Sequence, residues 1–327
     1  MYLVNEMIFE KKILNMYKRI MLVRHDSDGS IFFFSREDFP GLLAEDFSFL
    51  GNNKQKLNGH FYYRGQKRTD RLVFFEHGMG NGHVAYMNEI NLLTEHGYTV
   101  FTYDHTGTRS SEGEHIGGFS QSLADLDHAI KAVRSIPLYR EVPISVIGHS
   151  WGGFSTMNSP AIDDKITHVI ALAGFISVKA IQHQAISGLL KPYRSSVYEL
   201  EKKTLSSYCT YNALKTLKNT STKALIIHSK DDPVVSFKQH FEVLRREFGT
   251  SDNIEFIELN GKEHNPNYTV DAVKYKNEYF KALKTKKKKK TLSTDEEKQA
   301  LIDAFDWKRM TAQDMSLWDK IFDFLEK

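Results

Sequence analysis

The chain has 327 residues, 41% hydrophobic and 26% charged. This is ordinary globular composition, and the length fits one large α/β domain with an appendage. With 44 basic and 41 acidic residues the formal charge is +3, too near zero for a dedicated nucleic-acid binder. A single cysteine, Cys209, excludes an intramolecular disulfide framework and a multi-cysteine zinc site. The basic excess belongs to one segment. Residues 281–290 hold seven lysines, and without them 37 basic residues face 41 acidic ones.

At the amino terminus, Ile8, Phe9, Ile13, Met16, Tyr17 and Ile20 have helical spacing, interleaved with Glu10, Lys11, Lys12, Lys18 and Arg19. A peripheral amphipathic helix packed on the body is expected, with a membrane-surface anchor as the alternative. No uninterrupted apolar run of export-signal length occurs there, so a cytoplasmic location is expected. No stretch of 18 apolar residues exists anywhere, so no membrane span is expected. Residues 20–64 read as β-rich, with Asp28-Gly29 and Asn58-Gly59 as turn signals.

From residue 71 onward strand and helix patterns alternate. Strands are predicted at 71–78, 98–107, 144–150, 168–175, 224–232 and 253–261. Helices are predicted at 83–96, 120–136 and 237–248, with another after 150. The strands are apolar on both faces, which predicts a parallel sheet covered by helices on both sides and an antiparallel flank at its start. Residues 176–222 carry no strand pattern and read as short helices broken near Pro192. Residues 268–327 read as mostly helical, with the lysine run as a solvated break and 311–327 docked on the sheet. The expected division is 1–45 as amino-terminal helix and β-rich flank, 46–175 with 223–327 as core, and 176–222 as a helical cap.

The sharpest chemical signal is Gly148-His149-Ser150-Trp151-Gly152-Gly153, directly after the strand ISVIG. A G-x-S-x-G match alone is weak. A strand-to-helix elbow makes it strong, because the flanking glycines remove clashes and the serine Oγ projects above the sheet edge. A serine hydroxyl needs a base, and the base needs an orienting acid. Asp232, just past the strand ALIIHS, is the expected acid, with Asp231 as the alternative. His264, in the loop after the last strand, is the expected base; a surface loop histidine is the bland alternative. An oxyanion needs backbone donors, expected from the N–H groups of Trp151 and Met79, the latter in the glycine-rich loop 77–82. His77 is expected to shape that loop. Phe175, Ile176, Ile181, Ile186, Leu189 and Leu190 are expected to wall an apolar acyl pocket.

With HGMG, YDHTGTRSSEG, GHSWGG, HSKDDPVV and GKEHN in this order, residues 45–265 and the final helix resemble the α/β-hydrolase superfamily. The nearest likeness is its serine-aminopeptidase/monoglyceride-lipase-like branch with a helical cap. The resemblance implies a Ser150–His264–Asp232 triad, no cofactor, and hydrolysis of carboxylic esters of short or medium acyl chain. A peptidase or amidase on the same triad is the first alternative, and a non-catalytic ligand-binding member of the fold the second. Arg109 departs from the branch, standing where a second glycine is usual. A small-molecule acyl substrate is the expected partner, with no nucleic acid. No metal is expected, since there is no H-E-x-x-H motif, and Asp26-Ser27-Asp28-Gly29 lacks the later ligands of a calcium loop. No phosphate-binding loop of the G-x-x-x-x-G-K type occurs.

Overall fold

A computed structural model of the chain describes residues 2–205 and 207–327, with side chains from residue 9 onward. Eight strands form one sheet: β1 (Leu43–Leu50), β2 (Lys56–Tyr63), β3 (Leu72–Glu76), β4 (Thr99–Tyr103), β5 (Ile144–His149), β6 (Ile166–Leu172), β7 (Lys223–Ser229) and β8 (Ile254–Leu259). Their spatial order is β1-β2-β4-β3-β5-β6-β7-β8. β2 pairs antiparallel with β1 and β4, and every later pairing is parallel. β1 crosses the expected boundary at residue 45 and belongs to this sheet.

Alternate residues of each inner strand feed opposite layers, as a period of two requires. Leu72, Phe74, Val146, Val169 and Ile226 face one layer with Leu126, Ile130 and Val133 of α3 (Gln121–Ser135) and Phe241 and Leu244 of α8 (Phe241–Phe248). Val73, Phe75, Ile147, Ile170 and Leu225 face the other. There Ile90 and Leu93 of α2 (Met87–Glu95) and Leu317, Trp318 and Ile321 of α12 (Met315–Leu325) cover them. The last helix docks on the sheet, as its apolar stripe predicts.

Three sequence expectations need correction. Asn58-Gly59 is not a turn: Gly59 lies within β2 opposite Phe47, and the chain reverses at residues 51–55. A Cβ at Gly59 would sit 2.7 Å from the Thr102 carbonyl oxygen and 2.8 Å from Tyr103 Cβ. The glycine therefore serves close strand approach. Residues 22–42 form no strand; only β1 and β2 make the antiparallel flank. The solvated break comes at the end of the lysine run rather than along it. Lys286, Lys287 and Lys288 form the last turn of α9 (Val270–Lys288), where cations suit the helix dipole, and Lys290 adopts φ 57° beyond the cap.

Between β6 and β7 stand α5 (Val178–Ala185), α6 (Arg194–Leu205) and α7 (Ala213–Lys218), with Pro192 in a 3₁₀ turn before α6. The amino-terminal helix α1 (Tyr2–Met21) packs on these helices rather than on the sheet, through Ile13 against Ile186 and Val197. Phe9, Met16 and Ile20 are exposed; Ile8 lies outside the described side chains. After β8, Tyr279 and Leu283 of α9 join Leu301 of α10 (Asp295–Asp303) and Met310 of α11 (Trp307–Met310) in a satellite core. No helix among the described residues is long and apolar enough to cross a membrane.

One buried carboxyl ties α6 to the body. Glu201 Oε1 accepts from the Ser120 N–H at 2.8 Å and its hydroxyl at 2.9 Å, while Oε2 has no partner among the described residues. Burial pushes this carboxyl from 4.5 up to about 8. The fold holds the proton between these values while the unfolded chain releases it, so native stability falls as pH rises through that window. Glu201→Gln removes this dependence. We expect thermal melts to show similar stability at pH 4 and a gain on the order of 2 kcal/mol at pH 7. A pH-independent difference would contradict the assignment.

Candidate active site

Strand β5 ends at His149 and α4 (Trp151–Asn158) begins at Trp151, leaving Ser150 alone to make the reversal. Ser150 adopts φ 58° and ψ −111°, a left-handed geometry that costs a non-glycine residue energy. The neighbours hold it there: its N–H donates to the Leu172 carbonyl at 2.8 Å, and Phe154 N–H donates to its carbonyl at 3.1 Å. Gly148 and Gly152 are required by space. A Cβ on Gly148 would lie 2.5 Å from the Gly152 carbonyl oxygen, and one on Gly152 only 2.1 Å from that of Glu76. Helix α4 stops after eight residues where Ser159-Pro160 follows.

The structure brings the three residues singled out in sequence into one chain of hydrogen bonds. His264 Nε2 is 2.8 Å from Ser150 Oγ, and His264 Nδ1 is 2.8 Å from Asp232 Oδ2. The Asp232 side chain is buried, and its Oδ1 accepts from the Val234 and Val235 N–H groups at 2.8 and 3.0 Å. Burial opposes its ionisation. Hydrogen bonds from His228 and His264, with the turn N–H groups, outweigh burial and hold the carboxyl well below the usual range. Asp231 faces elsewhere, accepting from the Ser229 hydroxyl and from the Gly261 N–H at 3.0 Å.

Two histidines and a tyrosine frame this chain without having been singled out. His228 Nε2 lies 3.1 Å from Asp232 Oδ2 and 2.9 Å from the Val235 carbonyl, so its N–H serves both. His149 Nε2 donates to the His264 carbonyl at 2.6 Å, and Tyr86 OH lies 2.8 Å from His149 Nδ1. Tyr86 OH also accepts the Gly78 N–H at 3.0 Å. Burial and the nearby His264 pull His149 down to about 3, which keeps its ring neutral and suited to one donor and one acceptor role. The elbow, the loop after β3 and the loop of His264 are thus pinned together. His149 stands inside the GHSWGG motif and could have been flagged; nothing in sequence ties Tyr86 to it.

The loop after β3 is shaped by His77 as expected. Its Nδ1–H donates to the Gly78 carbonyl at 2.6 Å and its Nε2 accepts the His105 N–H at 3.0 Å. Below it, His105 lies between Glu76 (3.5 Å) and Asp125 (3.3 Å), all fully buried. Burial pushes the Glu76 carboxyl up to about 7. Trp151, as first residue of α4, has no intrahelical acceptor for its N–H, and Met79 packs against the apolar cluster to which Trp151 belongs. Arg109 lies over the Phe33 ring at 5.0 Å and presses its side chain against Gly82. That side chain is committed to packing.

The residues expected to wall a pocket separate into groups. Phe175 and Ile181 join Met79, Trp151, Phe154 and Val235 in one apolar cluster. Four expectations are corrected. Leu189 is 95% exposed, in a 3₁₀ turn none of whose residues is buried. Ile176 points into the main core beneath the sheet. Ile186 and Leu190 pack on α1 instead. Cys209 is buried in the same cluster as Phe175 and Ile181, and burial pushes its thiol up to about 12, which leaves it unreactive. Among the described residues no group of three or more His, Cys, Asp or Glu could hold a metal ion.

Sheet order, parallel crossovers and the serine elbow define the class: this is an α/β-hydrolase fold. Residues 67–213 match the family model described as serine aminopeptidase, S33. Over 119 residues it is 32% identical to monoglyceride lipase of Rattus norvegicus, a match covering 36% of each chain. The chain thus spans about a third of the length of that relative. A longer but weaker likeness, 26% over 218 residues, is to an uncharacterized protein of Acanthamoeba polyphaga mimivirus, covering 61% of this chain and 68% of that one. Among solved structures, an esterase of Pyrococcus furiosus superposes with a TM-score of 0.56 at 18% identity, covering 78% of this chain and 94% of that one.

Proposed function

We propose that the protein is a serine hydrolase that cleaves carboxylic esters through an acyl-serine intermediate. The observation that carries this is the continuous Ser150–His264–Asp232 chain, with both contacts at 2.8 Å, on a strained elbow. His264 Nε2 takes the Ser150 proton as Oγ attacks the acyl carbonyl, and Asp232 holds the ring and stabilises its charged form. The Met79 and Trp151 N–H groups receive the oxyanion. His264 then passes its proton to the leaving alkoxide, and the alcohol departs. Water, deprotonated by His264, attacks the acyl-serine; the carboxylic acid leaves and Ser150 regains its proton.

Phe175 and Ile181, with Met79 and Val235, supply an apolar surroundings for the acyl group, which supports a short or medium chain. Residues 176–222 act as the cap over it, and the enzyme works in the cytoplasm on a small-molecule ester. The monoglyceride lipase likeness supports an ester over an amide. The family model's description as a serine aminopeptidase favours a peptidase reading of the same triad. A panel of p-nitrophenyl esters against aminoacyl-p-nitroanilides separates the two. We expect turnover of the esters, highest for short or medium acyl groups; faster turnover of the anilides would replace the ester reading.

A further inference from the structure

Beside the loop after β3 lies a small cavity of about 100 Å³. Its walls come from three places: the irregular segment 31–34, residues 81–88 running from the loop after β3 into α2, and the carboxyl-terminal part from Tyr268 through α9 to α11 and Thr311. Segment 31–34 and the carboxyl-terminal helices lie outside the stretch that matches the family model. The lining is unusually aromatic, with Phe32, Phe33, Phe34, Tyr268, Phe280 and Trp307. One cation stands among them. Lys276 Nζ donates to Asn265 Oδ1 at 2.8 Å and lies 5.1 Å from the centre of the Tyr268 ring.

This ammonium lacks a counter-ion. Among the described residues it has no carboxylate within 4.0 Å, and one hydrogen bond uses only one of its three donors. The two carboxyls that act on it electrostatically are engaged elsewhere. Glu89 Oε1 accepts from Asn267 at 2.7 Å and Gln313 at 3.1 Å, and Glu263 accepts from Asn277 at 2.9 Å. Burial also pushes Glu89 up to about 7, which weakens it as a partner. Burial likewise pulls Lys276 down to about 8, so a bound anion would restore stabilisation that the protein withholds. A chamber with aromatic rings and one unpaired cation at its wall, alongside Asn81, Asn88 and Thr311, suits an amphiphilic anion.

We propose that this cavity binds a small apolar monocarboxylate, the carboxylate on Lys276 Nζ and the body among the aromatic rings. Ser150, Asp232 and His264 are not among the residues lining it, and binding is not expected to depend on Ser150. The test titrates the full chain with 3-phenylpropionate and hexanoate, and with the matching alcohols, by calorimetry and saturation-transfer NMR. Wild type and Ser150→Ala are expected to bind the acids equally, and the alcohols more weakly. Lys276→Met and Lys276→Gln are expected to weaken the acids at least about tenfold, the scale of a lost charged hydrogen bond. Lys276→Arg, which keeps the charge, is expected to retain them. Acids bound no better than alcohols, binding untouched in both neutral variants, binding lost in Ser150→Ala, or no binding at all would each overturn the proposal.

Discussion

Replacing Asp232 by Asn is expected to lower kcat for a p-nitrophenyl ester about 10⁴-fold, with little change in KM. The reason is geometric. Asp232 Oδ2 accepts the His264 Nδ1–H, and this fixes the tautomer whose Nε2 faces Ser150 Oγ. An amide at position 232 can instead offer its N–H to Nδ1, which moves the ring proton to Nε2 and removes the base. The carboxylate also stabilises the imidazolium that forms during attack, and an amide does not. Asp231→Asn provides the control. Asp231 ties the Ser229 hydroxyl to the Gly261 N–H and makes no contact with His264, so its loss is expected to cost less than about tenfold. Comparable losses in both variants would refute the assignment of Asp232 over Asp231. Steady-state kinetics on the two proteins decides it.

The largest stability effect is expected at Gly152. A methyl group there would lie 2.1 Å from the Glu76 carbonyl oxygen, 2.6 Å from the Glu76 carbonyl carbon and 2.8 Å from the His77 carbonyl oxygen. All three are backbone atoms at the end of a central strand, so none can swing aside as a side-chain tip would. Gly152→Ala must push α4 away from β3, moving Ser150 and the Trp151 N–H together. We expect a loss of at least about 3 kcal/mol, the upper range for overpacking, seen as a lowered urea midpoint. Gly65→Ala is the contrast. Gly65 has φ +63° and open space around its Cβ position, so only the backbone preference is lost, about 1 kcal/mol. Equal effects at the two sites would mean that the packing of α4 on β3 is not close.

How far the sequence reveals this molecule depends on how local each determinant is. The inner strands were legible because Val73, Phe75, Ile147 and Ile170 alternate with equally apolar neighbours, and only a sheet covered on both faces accommodates that. Ser150 was legible because the elbow needs glycine on both sides within four residues. Asp232 over Asp231 was legible only through the turn that follows it, where the Val234 and Val235 N–H groups orient the carboxylate. Other features depend on distant partners. Leu189 has the same composition signal as Ile181, yet one faces solvent and the other the cluster around Trp151. The orientation of the short segments between β6 and β7 is set by what packs on them, here α1. Gly59 looks like a turn until β4 is placed beside it. Tyr86 meets His149 only because the loop after β3 folds back over the elbow, 63 residues away in sequence.

The same distinction explains the carboxyl-terminal segment. Its lysines suggest a solvated break, but Tyr279 and Leu283 of the same segment are buried against Leu301 and Met310, and that core carries α9 on through Lys288. The aromatic cavity beside Lys276 is a product of this tertiary arrangement, since its walls lie hundreds of residues apart.

The central claim is that Ser150 is a nucleophile activated by His264. Fluorophosphonate labelling of the intact protein, with the modified residue located by peptide mass spectrometry, tests it most directly. The account predicts a single phosphonylated residue, Ser150, with labelling abolished in Ser150→Ala and slowed at least about 10³-fold in His264→Ala. Labelling of Ser150→Ala at the wild-type rate, or none of the wild-type protein, would contradict it.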